Sequence, residues 1–264
     1  HGRVEFNFEL SRLTLDGWDM LATPLCDENV PFSLRLGWNS LGPRAISPLQ
    51  RMIQNHTTLN AICLAGNDIG DEGITALIDC LKFPHQIQVL SLQHNQITPL
   101  GFTPFISNLS SYAPLTSLNL SYNALGDEAM DVLGSALLSP TSSLESLNLT
   151  SNGITHVGAE KLAAGIALSR LKSLNISSNV IGDDGIYHIS AALRESSTLT
   201  IFHASNCNIG ADGCRYLCVA LAKHASMAEV YMSRSHDKQC CIGNEGAEEI
   251  GRMLRTNNTL TKIK

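Results

Sequence analysis

Aromatic side chains are scarce in this chain, 5% of 264 residues, although the apolar set as a whole reaches 44%. Any core must be filled by aliphatic residues, which suits the narrow interior between a strand layer and a helix layer. Basic residues are few, 18 Lys plus Arg against 24 acids, and scattered, so the stripe of positive charge that a nucleic-acid face needs is missing. No apolar run approaches the length of a membrane span, and no signal peptide is visible. Phosphate-binding glycine motifs, a nucleophile elbow and a zinc-protease helix motif are all absent, so nothing announces an enzyme. The eight cysteines (Cys26, Cys63, Cys80, Cys207, Cys214, Cys218, Cys240 and Cys241) follow no secreted disulfide framework.

What is present is repetition. Leu115 to Leu138 opens as L-x-x-L-x-L-x-x-N-x-L on Leu115, Leu118, Leu120, Asn123 and Leu125. It continues with Met130, Leu133, Ala136 and Leu137 at helical spacing. The first half predicts a short strand and the second an amphipathic helix. Neither buries its apolar face alone, so the unit requires neighbours of the same kind. Aligning on the asparagine gives Asn39, Asn67, Asn95, Asn123, Asn152 and Asn179, at steps of 28, 28, 28, 29 and 27. Further steps of 28 land on Cys207 and Ser235. These residues and this period resemble the leucine-rich repeat of the ribonuclease-inhibitor-like subclass. The resemblance implies an α/β solenoid, a horseshoe with a parallel sheet on its concave wall and helices on its convex one.

The ends depart from the frame. Residues 1–30 are expected to form an irregular capping segment with a short first repeat, in which Leu10, Leu13 and Leu15 precede Trp18 in the asparagine slot. The array of units near 28 residues then runs over 31–264, with Pro48 and Pro104 weakening two helices and an insertion at 236–241. It stops within a strand, and the chain starts at His1, which together predict an excised piece of a longer protein.

Local chemistry is first explained by structure. The acids of Ile69-Gly70-Asp71-Glu72-Gly73 and Ile181-Gly182-Asp183-Asp184-Gly185 suit helix starts, where free amides and the dipole favour negative charge. The asparagine ladder supplies donors and an acceptor to backbone groups freed where each strand turns. Cys214 and Cys218, four apart on one helix face, join Cys207, Cys240, Cys241 and His236 as the best zinc candidate. The same spacing is what a core stripe requires, and packed thiols in a reducing, cytosolic setting are the adopted reading, with no metal or cofactor. Six N-x-S/T matches, at Asn55, Asn108, Asn119, Asn148, Asn175 and Asn257, are read as chance, because three lie within strands.

Function then falls to the exposed strand positions, which line the concave wall in columns. One column reads Thr14, Arg35, Cys63, Ser91, Asn119, Asn148, Asn175, His203 and Tyr231. Another reads Gly17, Trp38, Gly66, His94, Tyr122, Ser151, Ser178, Asn206 and Arg234. Its middle is small and neutral, and large residues gather toward both ends. Arg35, Trp38, His94, Tyr122, His203, Tyr231 and Arg234 form the expected protein-contact set, since Tyr, Trp and Arg are the usual interface anchors. His94 and His203 are too far apart in the array to act as a catalytic pair, and Asn119, Asn148 and Asn175 are candidates for an amide ladder between strands.

The expected function is a rigid module that binds a protein partner, without catalysis, nucleic acid or a membrane span. Asn55 to Leu59 and Asn257 to Leu260, with the Ile69 to Gly73 signal, resemble repeats of cytosolic innate immune receptors. They equally resemble repeats carried by secreted effectors of intracellular bacterial pathogens, toward which the Ser, Asn and His content and the irregular first repeat lean; the setting is then the host cytosol. A ribonuclease inhibitor proper carries more cysteine and acidic contacts that the columns lack. The enzyme-class rival is a leucine-rich-repeat GTPase-activating protein for a small GTPase, whose acidic tail is missing.

Overall fold

The computed structural model describes residues 4–25, 32–55, 58–82, 86–108, 115–233 and 242–264. Backbone contacts divide the chain into two compact units, His1–Ala124 and Leu125–Lys264.

In the first unit the order is β1 (Val4–Asn7), α1 (Leu15–Leu25), β2 (Phe32–Arg35), a 3-10 turn (Pro43–Ala45), α2 (Ile46–Asn55) and β3 (Leu59–Cys63). It continues with α3 (Gly70–Leu81), β4 (Val89–Ser91), α4 (Pro99–Ser107) and β5 (Ser117–Asn119). The five strands pair in parallel in sequence order, with Arg35, Cys63, Ser91 and Asn119 in one register row. The second unit repeats the plan with α5 (Glu128–Leu137), β6 (Ser146–Asn148), α6 (His156–Leu168), β7 (Ser173–Asn175) and α7 (Gly182–Glu195). It ends with β8 (Ile201–His203), α8 (Ala211–Leu221), β9 (Glu229–Tyr231), α9 (Gly243–Leu254) and β10 (Lys262–Ile263). Asn148, Asn175, His203 and Tyr231 form its register row. The α/β repeat architecture expected from the leucine frame is therefore the one observed.

Strand and helix combine because their apolar faces meet. In the first unit Leu34, Leu36, Ile62, Leu64, Leu90 and Leu92 are buried against Leu49, Ile53, Leu77, Phe102 and Phe105 of the helices. In the second, Leu147, Leu149, Leu174, Ile176 and Phe202 meet Leu133, Leu162, Ile166, Ile189 and Leu217. Each fully buried side chain of this size contributes about 1.5–3 kcal/mol. Neighbouring helices α5 and α6 touch backbone to backbone: a Cβ on Gly165 would stand 2.6 Å from Gly134 Cα. Only glycine allows that approach.

The first repeat differs from the sequence frame. β1 pairs with β2 so that Phe6 lies beside Leu34 and Asn7 beside Arg35, and Leu10 N–H then donates to Gly37 O at 3.0 Å. The row that holds Arg35 therefore starts at Asn7 instead of Thr14, and the row that holds Trp38 starts at Leu10 instead of Gly17. Trp18 is no asparagine substitute: it lies fully buried in the eleven-residue helix α1, donating its indole N–H to Ala45 O at 2.9 Å. A leucine triplet at 10, 13 and 15 imitates the repeat motif one frame late. The insertion at 236–241, Arg234, Cys26, Cys240 and Cys241 lie outside the described residues.

The asparagines bind across repeats. Asn95 Oδ1 accepts the N–H groups of Asn67 (3.1 Å) and Ile69 (3.2 Å), and its Nδ2 donates to Leu64 O (2.9 Å) and Gln93 O (3.1 Å). Asn39, Asn67, Asn123, Asn152 and Asn179 sit in the same place, each donating Nδ2 to carbonyls of the strand turn. Cys207 takes the slot with a thiol that donates to Ile176 O at 3.2 Å. Burial pushes that thiol up to about 11 and Cys80 to about 12, so neither is a thiolate nucleophile at neutral pH. Cys214 and Cys218 are buried on the inner side of α8, and the Cys214 thiol donates to Gly246 O at 3.6 Å.

The acids Asp71, Asp127 and Asp183, which follow β3, β5 and β7, act differently from the simple helix-start reading. No side-chain bond caps the helix on which Asp71, Asp127 or Asp183 sits. Each reaches instead to the helix start of the following repeat. Asp127 accepts the N–H and hydroxyl of Thr155 (2.8 and 2.6 Å) and the N–H of Gly158 (2.9 Å). Asp71 does the same for Thr98, and Asp183 for the Gly210 N–H at 2.7 Å. The carboxylate thus fastens one repeat to the next at the positive end of a helix. Asp127→Ala is expected to lower unfolding free energy by about 2 kcal/mol, from the worth of charged hydrogen bonds. Asp131→Ala, exposed on the same helix, is expected to stay within about 0.5 kcal/mol. Urea unfolding of the two variants checks this.

Candidate protein-docking face

The strands expose a row of side chains on the face opposite the helices. Immediately before each asparagine slot the backbone turns left-handed, which aims the asparagine back under its strand. In the first unit these positions are Leu10 (φ 55°), Trp38 (63°), Gly66 (61°), His94 (54°) and Tyr122 (57°). In the second they are Ser151 (52°), Ser178 (57°) and Asn206 (56°). Outside Gly, Asn and Asp, a left-handed residue costs roughly 1–2 kcal/mol. Among the described residues, the second unit holds small or amide side chains there. The first holds leucine and three rings, which fold stability does not select.

Those rings touch. Tyr122 stacks on His94 with centroids 4.1 Å apart and planes at 11°, and His94 meets Trp38 at 5.0 Å and 50°. Gly66 lies between Trp38 and His94 in the row. A Cβ there would stand 2.3, 2.7 and 2.8 Å from three adjoining atoms of the Trp38 ring. That pattern belongs to a ring lying face-down on the glycine. Glycine is therefore required twice, for its φ and for the indole above it. The row remains open: Leu10 is 74% exposed, Trp38 44% and Tyr122 49%. Beside it runs a groove of about 750 Å³, with Asp68 and Gln96 on its wall. Gln96 Nε2 donates to Asp68 Oδ1 at 2.7 Å.

Of the seven expected contact residues, Trp38, His94 and Tyr122 come together in this row. Arg35 lies in the first unit too, but its guanidinium is engaged by Glu9 (3.0 Å) and Glu5 (3.4 Å). The hydrogen bond to Glu9 is the main cause that raises its pKa. His203 and Tyr231 form a separate stack in the second unit, 4.2 Å apart at 7°. Lys262 Nζ sits 4.9 Å from the Tyr231 ring centroid, and the Tyr231 hydroxyl donates to Glu229. Of the amides proposed to ladder, Asn119 donates Nδ2 to Gln93 Oε1, while Asn148 and Asn175 accept from the backbone N–H groups of Thr150 and Ser177, two residues on in their own repeats. Sequence reasoning missed Leu10 through the first-repeat frame. It missed Gly66 and Asp68 because a missing side chain and a polar turn residue carry no pattern of their own. Among the described residues, no group of three His, Cys, Asp or Glu side chains is placed to hold a metal.

Two histidines give the second unit an acid sensitivity. His224 is buried, and its Nδ1 accepts the N–H groups of Met227 (3.0 Å) and Ser226 (3.3 Å), so the proton sits on Nε2. Burial lowers the pKa of His224 against the Leu193 carbonyl, and it lowers that of His203 against Glu229. A folded-state pKa below the unfolded value near 6.5 makes the unfolded chain the better proton acceptor. The contribution of both groups is complete above about pH 6.5 and is lost as pH falls through their lowered folded values. Thermal midpoints measured from pH 7.5 down to 5 are expected to fall, and His224→Gln to reduce that fall.

Comparison with known proteins agrees with this construction. The family described as Leucine Rich repeat matches at residues 55–77, 113–134, 142–163 and 169–190. Ribonuclease inhibitor of Sus scrofa is 34% identical over 201 residues, covering 75% of this chain and 43% of the inhibitor. NACHT, LRR and PYD domains-containing protein 5 of Mus musculus is 31% identical over 185 residues, covering 69% of this chain and 16% of that protein. The chain thus spans less than half the length of these curated relatives. In a solved structure of the Rad7 and Elc1 complex in yeast, one chain matches with a TM-score of 0.52 at 15% identity. That match covers 99% of this chain and 68% of the other, and speaks to the fold alone. On the repeat frame, the strand–helix units and these relatives together, the chain is a leucine-rich repeat protein of the ribonuclease-inhibitor-like subclass.

Proposed function

We propose that this chain is a protein-binding module that performs no chemistry and docks its partner on the sheet face around Trp38, His94 and Tyr122. One observation carries the reading: large, half-exposed rings occupy left-handed positions that in the described part of the second unit hold only serine or an amide. Local strain retained at an exposed surface points to use of that surface. A ribonuclease inhibitor among the relatives, by its name a protein that acts on another protein, supports a binding role.

The GTPase-activating alternative finds little support in Arg35, which is paired with Glu5 and Glu9 rather than free to meet developing charge. The immune-receptor alternative uses the same surface, and the NACHT-containing relative favours it over an effector role. Free, buried Cys80, Cys207, Cys214 and Cys218 support a reducing compartment, and no described helix is long and apolar enough to cross a membrane.

The test compares affinity capture from eukaryotic cytosol by the wild-type chain and by Trp38→Ala/Tyr122→Ala. Proteins held by the first and released by the second support the reading, whereas identical sets move the docking site elsewhere. Single-turnover GTP hydrolysis with a panel of small GTPases is expected to show no stimulation.

A further inference from the structure

The groove beside the aromatic row has an unbalanced lining. It combines the rings of Trp38, His94 and Tyr122 with the Asp68 carboxylate, and no Lys or Arg contributes to it. Among the described residues Asp68 has no cationic partner; its bond is to the neutral Gln96 amide. Trp38 rests one ring face on Gly66, and the residue stays 44% exposed. An indole face is the best aromatic site for a cation, and an adjacent carboxylate adds direct charge pairing. The whole chain carries a net charge of −6, so its field attracts rather than repels a basic segment.

We propose that this groove seats an arginine side chain from an exposed segment of the protein partner. The guanidinium plane lies on the Trp38 ring face away from Gly66, and its N–H groups donate to the Asp68 carboxylate. Arginine fits better than lysine because a planar, weakly hydrated cation stacks and forks at once, whereas an ammonium is a compact point charge. The inference deepens the docking-face reading and depends on it.

Its test is a random decapeptide display library selected on the wild-type chain and depleted on Trp38→Ala. Recovered peptides are expected to carry arginine at a fixed position. Replacing that arginine by citrulline, which keeps the shape and removes the charge, is expected to weaken binding at least tenfold, and replacement by lysine less. Asp68→Asn preserves the acceptor for Gln96 and is expected to weaken binding to a similar extent, with an unchanged circular dichroism spectrum. Peptides without arginine, tolerance of citrulline, or indifference to Asp68→Asn overturn the proposal. If binding still requires Trp38 and Tyr122 in those cases, the docking face stands and only its arginine preference is wrong. If no peptide distinguishes the wild-type chain from Trp38→Ala, both readings fall.

Discussion

Asn95→Ala is expected to lower the unfolding free energy by about 3–5 kcal/mol, which is a large share of the roughly 5–15 kcal/mol that a folded domain has in total. The size follows from what the amide does. Its oxygen takes the N–H groups of Asn67 and Ile69, and its nitrogen serves the carbonyls of Leu64 and Gln93. Asn95 itself is fully buried, so water does not replace it. Each buried group left without a partner costs about 1–3 kcal/mol, with the sum reduced by relaxation. Asn95→Asp rescues little: a carboxylate still accepts the two N–H groups but faces the two carbonyls with a second acceptor. Because repeats are stabilised mainly by their neighbours, loss at one turn spreads to the adjoining strands of the first unit. Guanidinium unfolding of both variants measures this.

The second large effect is on binding. Trp38→Ala with Tyr122→Ala removes two half-exposed rings at the centre of the proposed face. Anchors of this kind are worth about 2 kcal/mol or more apiece, so partner affinity is expected to drop at least about 100-fold. The fold is expected to keep nearly all its stability, because a ring pair contributes only about 0.5–1.5 kcal/mol beyond area burial. Titration calorimetry with a captured partner reads the first quantity, and chemical denaturation the second.

Much of this was legible in the leucines. Leu118 and Leu120 with Asn123, repeated at a near-constant step, define strand, turn and helix together, since only one register places every leucine inward. The same frame lines up Trp38, His94 and Tyr122 as one exposed row. Its limits are physical too. Asp71 reads as a cap for its own helix because the pattern is local, while its hydrogen bonds to Thr98 lie 27 residues further on. Arg35 reads as a free anchor because Glu5 and Glu9 sit in the repeat that Leu10, Leu13 and Leu15 misframe. Left-handed φ at Tyr122 or His94 has no signature in residue type, since the usual glycine or asparagine is absent there.

The central claim is that the aromatic row serves a partner and not the fold. Its most direct test is the unfolding free energy of the triple variant Trp38→Asn/His94→Asn/Tyr122→Asn. Asparagine tolerates the left-handed backbone, so relief of strain offsets the lost stacking, and a value within about 1 kcal/mol of wild type is expected. A loss of about 3 kcal/mol or more, the range of a core truncation, would show instead that the rings hold the repeats together.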